Sequence, residues 1–237
     1  AGRTGSPGST VFRMTTLQRH PLGLDFGMER TYWDKGLKFI AGVDEAGRGP
    51  LAGPVVAAAV IVRPDVWIAG VDDSKKLTPS RREELFDLIL RSVLGAGVGI
   101  VPHGEIDRMN VLQATMRAMA EAVSRLTPSP DYLLVDGPRF APPVFDAPVF
   151  DGSPMPFTAL IGGDAKCYSI AAASIIAKVT RDRIMIEYDR CYPGYGFARH
   201  KGYGTPEHLT AIRTLGPCEI HRRSFRMPAK MSGETVG

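Results

Sequence analysis

The sequence predicts an α/β protein whose sheet contains some antiparallel pairing. Two observations carry that reading. Two short apolar runs, Phe39 to Val43 and Val55 to Val62, flank a loop rich in glycine and proline, the pattern of a pair of buried strands. Strand-like runs then alternate with helical periods along the rest of the chain. With 237 residues the chain can bury one sizeable core, as one domain with appendages. Its 44% apolar and 23% charged residues are ordinary for a soluble globular protein.

Taken in order, AGRTGSPGST at the start is small and polar and reads as a disordered tail. Residues 11–38 are mixed and aromatic without a period, a leader expected to pack on the first strand. That strand, Phe39 to Val43, runs into a loop that opens with Asp44 and Glu45. The loop continues through Gly47-Arg48-Gly49 and turns at Pro50, Gly53 and Pro54. Thr78 or Ser80 caps the next helix, with Glu83 or Glu84 in its first turn and Leu85, Ile89 and Val93 on its buried face. Gly97 to Val101 is a strand. Glu105 to Leu126 has the clearest helical period (Ile106, Met109, Leu112, Met116, Val123), and Pro128 and Pro130 end it. Tyr132 to Val135 is a short buried strand before Asp136-Gly137. The proline-rich stretch 138–156, with its repeated PVFD, reads as an exposed loop. Phe157 to Ile161 is a strand closed by Gly162-Gly163-Asp164. Tyr168 to Tyr188 is a helix whose small apolar first half packs closely on a sheet and whose second half is charged. A glycine- and aromatic-rich loop, 193–205, precedes a short helix, Pro206 to Leu215.

The net charge of +4 is unevenly spread. Between Arg199 and Lys230 there are seven Lys and Arg (199, 201, 213, 222, 223, 226 and 230) against Glu207 and Glu219. A basic end on a nearly neutral body suggests a polyanionic partner. Three scattered cysteines, Cys167, Cys191 and Cys218, argue against a disulfide framework and for a reducing, cytoplasmic setting. No apolar run approaches the length of a transmembrane helix, so no membrane role is expected.

Four carboxylates share a position type. Asp44, Glu45, Asp136 and Asp164 each lie at or just past the C-terminal end of an expected strand, the edge where open α/β sheets build sites. Acids at the end of a buried strand need a partner, and a divalent cation is a good one. No His/Cys cluster competes, so the expected ions are Mg2+ or Mn2+. Two such ions form a template for in-line displacement at phosphorus. Each acid also has a plainer reading: Asp136-Gly137 as a turn dipeptide, Asp164 as a helix cap. Asp44 and Glu45, as neighbours on a strand, share a site only if the strand ends or bulges there. The glycine loop fits neither a dinucleotide fingerprint nor a P-loop. Its bare backbone and Arg48 point to close approach of an anion. Asp73-Ser74-Lys75-Lys76 offers a hydroxyl and two ammoniums to a phosphate. His200-Lys201-Gly202-Tyr203-Gly204-Thr205 holds an aromatic on a bare loop, where it can stack on a base or touch a 2′-hydroxyl.

Together these stretches resemble ribonuclease HII, the bacterial type 2 ribonuclease H. The resemblance rests on GVDEAGRGPLAGPV, DSKKL, EIDRMNVLQATMRAM, LLVDG, GGD, AAASIIAKVTRD, YGFARHKGYGT and HRRSF, in the family's order from Ile40 to Phe225. It implies a ribonuclease H-like fold: a five-stranded mixed sheet flanked by helices, with a helical C-terminal extension. The implied division is a leader (1–38), a catalytic domain (39–192) and a substrate-binding extension (193–237). The implied activity is hydrolysis on the 5′ side of ribonucleotides in RNA–DNA hybrids, or of single ribonucleotides in duplex DNA, leaving 3′-hydroxyl and 5′-phosphate ends. Residue by residue, Asp44, Glu45, Asp136 and Asp164 match the metal-binding acids of the family, with two ions in the catalytic state. Gly47, Arg48 and Gly49 match its ribonucleotide-contacting loop, Tyr203 its junction-reading tyrosine, and Ser74 and Lys75 a phosphate-contacting turn. Asp182 reads as supporting structure. The stretch 138–156 is longer than the family pattern between the third and fourth acids. The alternatives are a nuclease of other specificity on the same fold, or a non-catalytic hybrid binder. A monomer is the default expectation.

Overall fold

The computed structural model describes residues 11–13, 24–137 and 155–226. Five strands lie side by side in the order β5 (Gly95–Val101), β3 (Val55–Ile61), β2 (Ile40–Ala46), β6 (Tyr132–Asp136) and β7 (Phe157–Leu160). β3 runs antiparallel to both β5 and β2, whereas β2, β6 and β7 are parallel. This is the expected mixed sheet of five strands. β2 and β3 read as unbroken apolar runs because both faces of the sheet are covered. Helix α5 (Tyr168–Cys191) covers one face, where Ala58 and Val60 meet Ala172, Ile175 and Ile176. Helix α4 (Val111–Ser124) covers the other, where Ala57, Ala59 and Ile61 meet Ala114, Ala118 and Met119.

Close helix contact explains one glycine. A Cβ at Gly42 would collide with the Ser169 and Ile170 backbone, so α5 crosses β2 only because that position is bare. Gly42 lies two residues before Asp44 on the same strand face. The tight crossing therefore brings the start of α5, and Asp164 just ahead of it, to the end of β2.

Several boundaries differ from expectation. The first strand does not stop at Val43: β2 stays paired with β3 through Ala46, so Asp44 and Glu45 are strand residues rather than the opening of a loop. Only its pairing with β6 ends at Val43. The long helix 105–126 is two, α3 (His103–Met109) and α4, broken at Asn110. Asn110 has φ 72°, outside the helical region, and its Oδ1 accepts the N–H groups of Leu112 and Gln113 as a cap. The leader holds structure that its mixed pattern hid. Helix α1 (Gly27–Trp33) packs on α5, and β1 (Val11–Arg13) pairs with β4 (Val66–Ile68) in a separate ribbon. Helix α2 (Pro79–Ser92) is capped by Thr78, as expected. The loop after Pro193 contains a short helix, α6 (Phe197–His200), followed by α7 (Pro206–Leu215). The expected tail 1–10 and all but the last two residues of the proline-rich stretch 138–156 lie outside the described residues.

Candidate active site

Register dictates the acid cluster. In the parallel pair β2–β6, Val43 lies opposite Val135. The next residues, Asp44 and Asp136, therefore stand side by side on the face that α5 covers. β7 ends opposite Asp136, at Leu160. The chain then turns through Gly162, with φ 63°, into the 3-10 turn Gly163–Ala165. That turn carries Asp164 back to the same spot, and the Gly163 N–H donates to Asp136 Oδ1 at 2.6 Å. One carboxylate oxygen each from Asp44, Asp136 and Asp164 lie within 4.8 Å of one another. Asp44 and Asp164 are each only 5% exposed.

Glu45 is not part of that trio. Strand alternation points it to the opposite face, as its place beyond Ala41 and Val43 on the α4 side dictates. It nevertheless lines the same cavity of about 500 Å³, which wraps around the open end of the strand. Its Oε1 takes Arg48 Nη1 at 3.2 Å, while its buried Oε2 has no hydrogen-bond partner among the described residues.

The electrostatics are those of a site built for positive charge. Burial, then the charges of Glu45 and Asp136, hold the Asp44 carboxyl well above the usual carboxylate range. Burial also raises Glu45, with Arg48 working against it, and raises Asp136, with the Gly163 N–H working against it. Lys75 Nζ reaches Asp164 Oδ2 at 3.1 Å. Burial works against the Lys75 ammonium, but the hydrogen bond and charge of Asp164, together with the charges of Asp73 and Asp44, outweigh it and hold its pKa above the ordinary value. All donors are oxygens, with Asp44 and Asp164 buried and Asp136 half-buried, which suits hard divalent ions.

Two buried arginines shape the wall beside the acids. Arg222 donates to the carbonyls of Gly47 (2.6 Å), Arg48 (2.9 Å), Gly53 (3.0 Å) and Pro54 (3.2 Å). Arg181 donates to Pro54 (2.9 Å), Ala52 (3.1 Å) and Lys201 (3.0 Å). Both are 0% exposed. Because C=O and N–H point opposite ways across a trans peptide, turning the Gly47 and Arg48 carbonyls toward Arg222 turns the N–H groups of Arg48 and Gly49 away from it. Gly47 has φ 97°, and a Cβ there would collide with Arg181, so the residue must be glycine. Tyr203, 45% exposed, stands beside Gly49, with the Arg181 guanidinium 6.0 Å from its ring centroid.

The cavity thus brings together Asp44, Glu45, Gly47, Arg48, Gly49, Ser74, Lys75, Asp136 and Tyr203, all expected, with Asp164 adjoining through Lys75. It adds Lys178 and Val111, which sequence reasoning did not single out. Lys178 bonds Asp182 at 2.6 Å, and Arg82 approaches the same carboxylate at 3.7 Å, so Asp182 does support its neighbours. A signal for Arg181 was present: it continues the spacing of Ser174 and Ala177 toward Met185, the buried stripe of α5. The basic end also differs from expectation. Arg222 is buried inside the fold and so is withdrawn from a polyanion, while Arg199 stays at the surface beside Glu207.

Strand order and an acid-lined sheet edge define the class: an α/β protein with the ribonuclease H-like fold. Comparison with known proteins narrows it. The family model described as Ribonuclease HII matches residues 41–227. A curated ribonuclease HII of Geobacter metallireducens is 54% identical over 215 residues, covering 88% of this chain and 96% of that protein. The solved ribonuclease H2 of Pyrococcus horikoshii OT3 is similar at 32% identity with a TM-score of 0.63, covering 79% of this chain and 93% of that one. The ribonuclease HII of Archaeoglobus fulgidus, solved in complex with PCNA, gives 28% and 0.65, covering 82% and 98%. The chain belongs to the ribonuclease HII family and is a ribonuclease H type 2 endoribonuclease. No helix among the described residues is long and apolar enough to cross a membrane.

Proposed function

We propose that the acid-lined cavity hydrolyses the phosphodiester on the 5′ side of a ribonucleotide, in RNA–DNA hybrids and in duplex DNA carrying a single ribonucleotide. The observation that carries this is the convergence of Asp44, Asp136 and Asp164 from three separate elements, with oxygens within 4.8 Å, next to the Gly47–Gly49 loop and Tyr203. These three acids and Glu45 would hold two divalent ions, Mg2+ or Mn2+. The unpartnered Oε2 of Glu45 and the raised carboxyls of Asp44, Glu45 and Asp136 fit such ions. When bound, the ions supply an activated water and neutralise the departing 3′ oxygen.

The chain's own groups do the rest. Arg48 and Gly49 offer N–H groups to the ribonucleotide, and Tyr203 tests the sugar for the 2′-hydroxyl, the group that separates RNA from DNA. Ser74, Lys75 and Lys178 receive backbone phosphates. In this reading residues 39–192 carry the chemistry and 193–237 bind the substrate as a monomer. The test is Asp136→Asn, whose Oδ1 can still accept from Gly163. Cleavage of a labelled hybrid should fall by about a thousandfold or more, with the circular dichroism spectrum unchanged. Cleavage at the wild-type rate would remove Asp136 from the site.

A further inference from the structure

Behind Tyr203 three histidines and a cysteine are packed away from the acids, and nothing in the cleavage chemistry uses them. His208 and His221 are 0% exposed and His200 is 9% exposed. The Phe197 ring packs edge-on against His200 and His208. His208 Nδ1 lies 2.9 Å from the Tyr203 carbonyl oxygen. His208 Nε2 lies 3.1 Å from His221 Nε2, and His221 Nδ1 lies 3.1 Å from Cys218 Sγ.

For neutral rings, the form that burial favours, these contacts order the hydrogens. A carbonyl only accepts, so His208 carries its proton on Nδ1. Its Nε2 is then a lone pair, so His221 must donate from Nε2. With its ring neutral, His221 Nδ1 is then a lone pair that the Cys218 thiol serves; the Cys218 carbonyl oxygen, 3.2 Å from the same nitrogen, is the one contact that a proton there would satisfy instead. The Gly202 N–H donates to His200 Nδ1 at 3.1 Å, so His200 donates from Nε2 to the Tyr195 carbonyl at 2.7 Å. Its ring stacks on His208 with centroids 4.4 Å apart. Each ring nitrogen has a partner in the neutral form, that of His221 Nδ1 being the Cys218 thiol. Burial, the main influence on all three, favours that form and pulls His208 down to about 4.

We infer that Cys218, His221 and His208 form a one-way hydrogen-bonded chain ending on the Tyr203 carbonyl, and that His208 is a positioning residue for junction recognition. The Tyr203 carbonyl receives only two donors among the described residues, His208 Nδ1–H and the Thr205 N–H at 2.8 Å. The far end of the chain is tied to the other recognition element. His221 bridges Ala52, and its neighbour Arg222 holds the Gly47 and Arg48 carbonyls. The His208–His221 bond therefore joins the Tyr203 turn to the segment that shapes the glycine loop. This rests on the reading of Tyr203 as the junction sensor.

The first test is nitrogen-resolved NMR of the imidazoles in the intact protein at pH 7. His208 should appear neutral with its proton on Nδ1, and His200 and His221 neutral with theirs on Nε2. A doubly protonated His208, or one protonated on Nε2, overturns the inference whatever the role of Tyr203. The second test compares the rate on a duplex with one ribonucleotide to the rate on a long hybrid. His208→Leu should lower that ratio by about tenfold, the worth of one buried hydrogen bond. His208→Asn, whose amide N–H stands where Nδ1–H stood, should restore most of it. A lowered ratio in Tyr203→Ala with none in His208→Leu overturns the positioning role alone. An unchanged ratio in Tyr203→Ala overturns the sensor reading itself.

Discussion

Replacing Asp44 by Asn should stop cleavage and at the same time make the metal-free protein more stable. Asp44 is 5% exposed and shares a space with Asp136 and Asp164 in which the oxygens lie within 4.8 Å. At an effective dielectric of about 20, two unit charges at that spacing repel by roughly 3 kcal/mol. Asp44 faces two such neighbours, with Glu45 adjacent. Lys75, 3.1 Å from Asp164, offsets part of this, and Asp44's raised pKa relieves part by protonation. A net gain of about 1–3 kcal/mol remains for the neutral amide, or roughly 2–10 °C in Tm for a chain of this length. Asn keeps the Oδ1 that accepts the Glu45 N–H at 2.7 Å, so the strand end is preserved. The assay is thermal unfolding in chelator and then in Mg2+. The variant should melt higher than wild type in chelator, and Mg2+ should raise the wild type more than the variant. The sign with pH follows from the raised carboxyl. Its protonated form is favoured in the folded state, so the wild type loses stability as pH rises through the folded value, and the variant's advantage vanishes below about pH 4. A variant that melts lower than wild type in chelator at neutral pH, or that still cleaves, would refute the reasoning.

Arg222→Lys should lower Tm and cleavage together, because one ammonium cannot reach the four carbonyls that the guanidinium fork serves. Unfolding scans and a cleavage assay on the same preparation check this, and a wild-type Tm would contradict it. Asn110→Ala should cost about 1–2 kcal/mol by denaturant titration, since it loses the cap on α4 and forces a β-carbon side chain without that cap into positive φ. His208, depressed by burial to about 4, stays neutral in the folded state while the unfolded chain takes up a proton. Its contribution to stability is thus full above about pH 6.5 and is lost as pH falls toward 4. Comparing wild type with His208→Asn by denaturant titration at pH 7 and pH 5 should show the wild type losing more.

The acids were legible in the sequence because each ends a short apolar run, and strand ends at one edge of a sheet converge whatever the details. What the sequence left open was which face each acid takes. That depends on where pairing stops, and β2 loses its β6 neighbour at Val43 while keeping its β3 neighbour through Ala46. Arg181 and Arg222 look like surface charge in a linear reading. Arg222 is buried only because distant carbonyls of residues 47, 48, 53 and 54 converge on it, which no local pattern records, whereas for Arg181 the buried stripe of α5 was the one local hint. The break at Asn110 was hidden for a related reason: apolar spacing continues across it, and only the positive φ ends the helix. Helix α1 escaped because its seven residues are too few to show a period.

The most direct test of the account is cleavage of an end-labelled DNA duplex carrying one ribonucleotide, with Mg2+, with Mn2+ and with chelator. A single cut on the 5′ side of the ribonucleotide is expected, present with metal and absent with chelator. Cutting that persists in chelator would contradict the role given to Asp44, Glu45, Asp136 and Asp164. Metal-dependent cutting confined to long RNA–DNA hybrids would contradict the role given to Tyr203 and the Gly47–Gly49 loop.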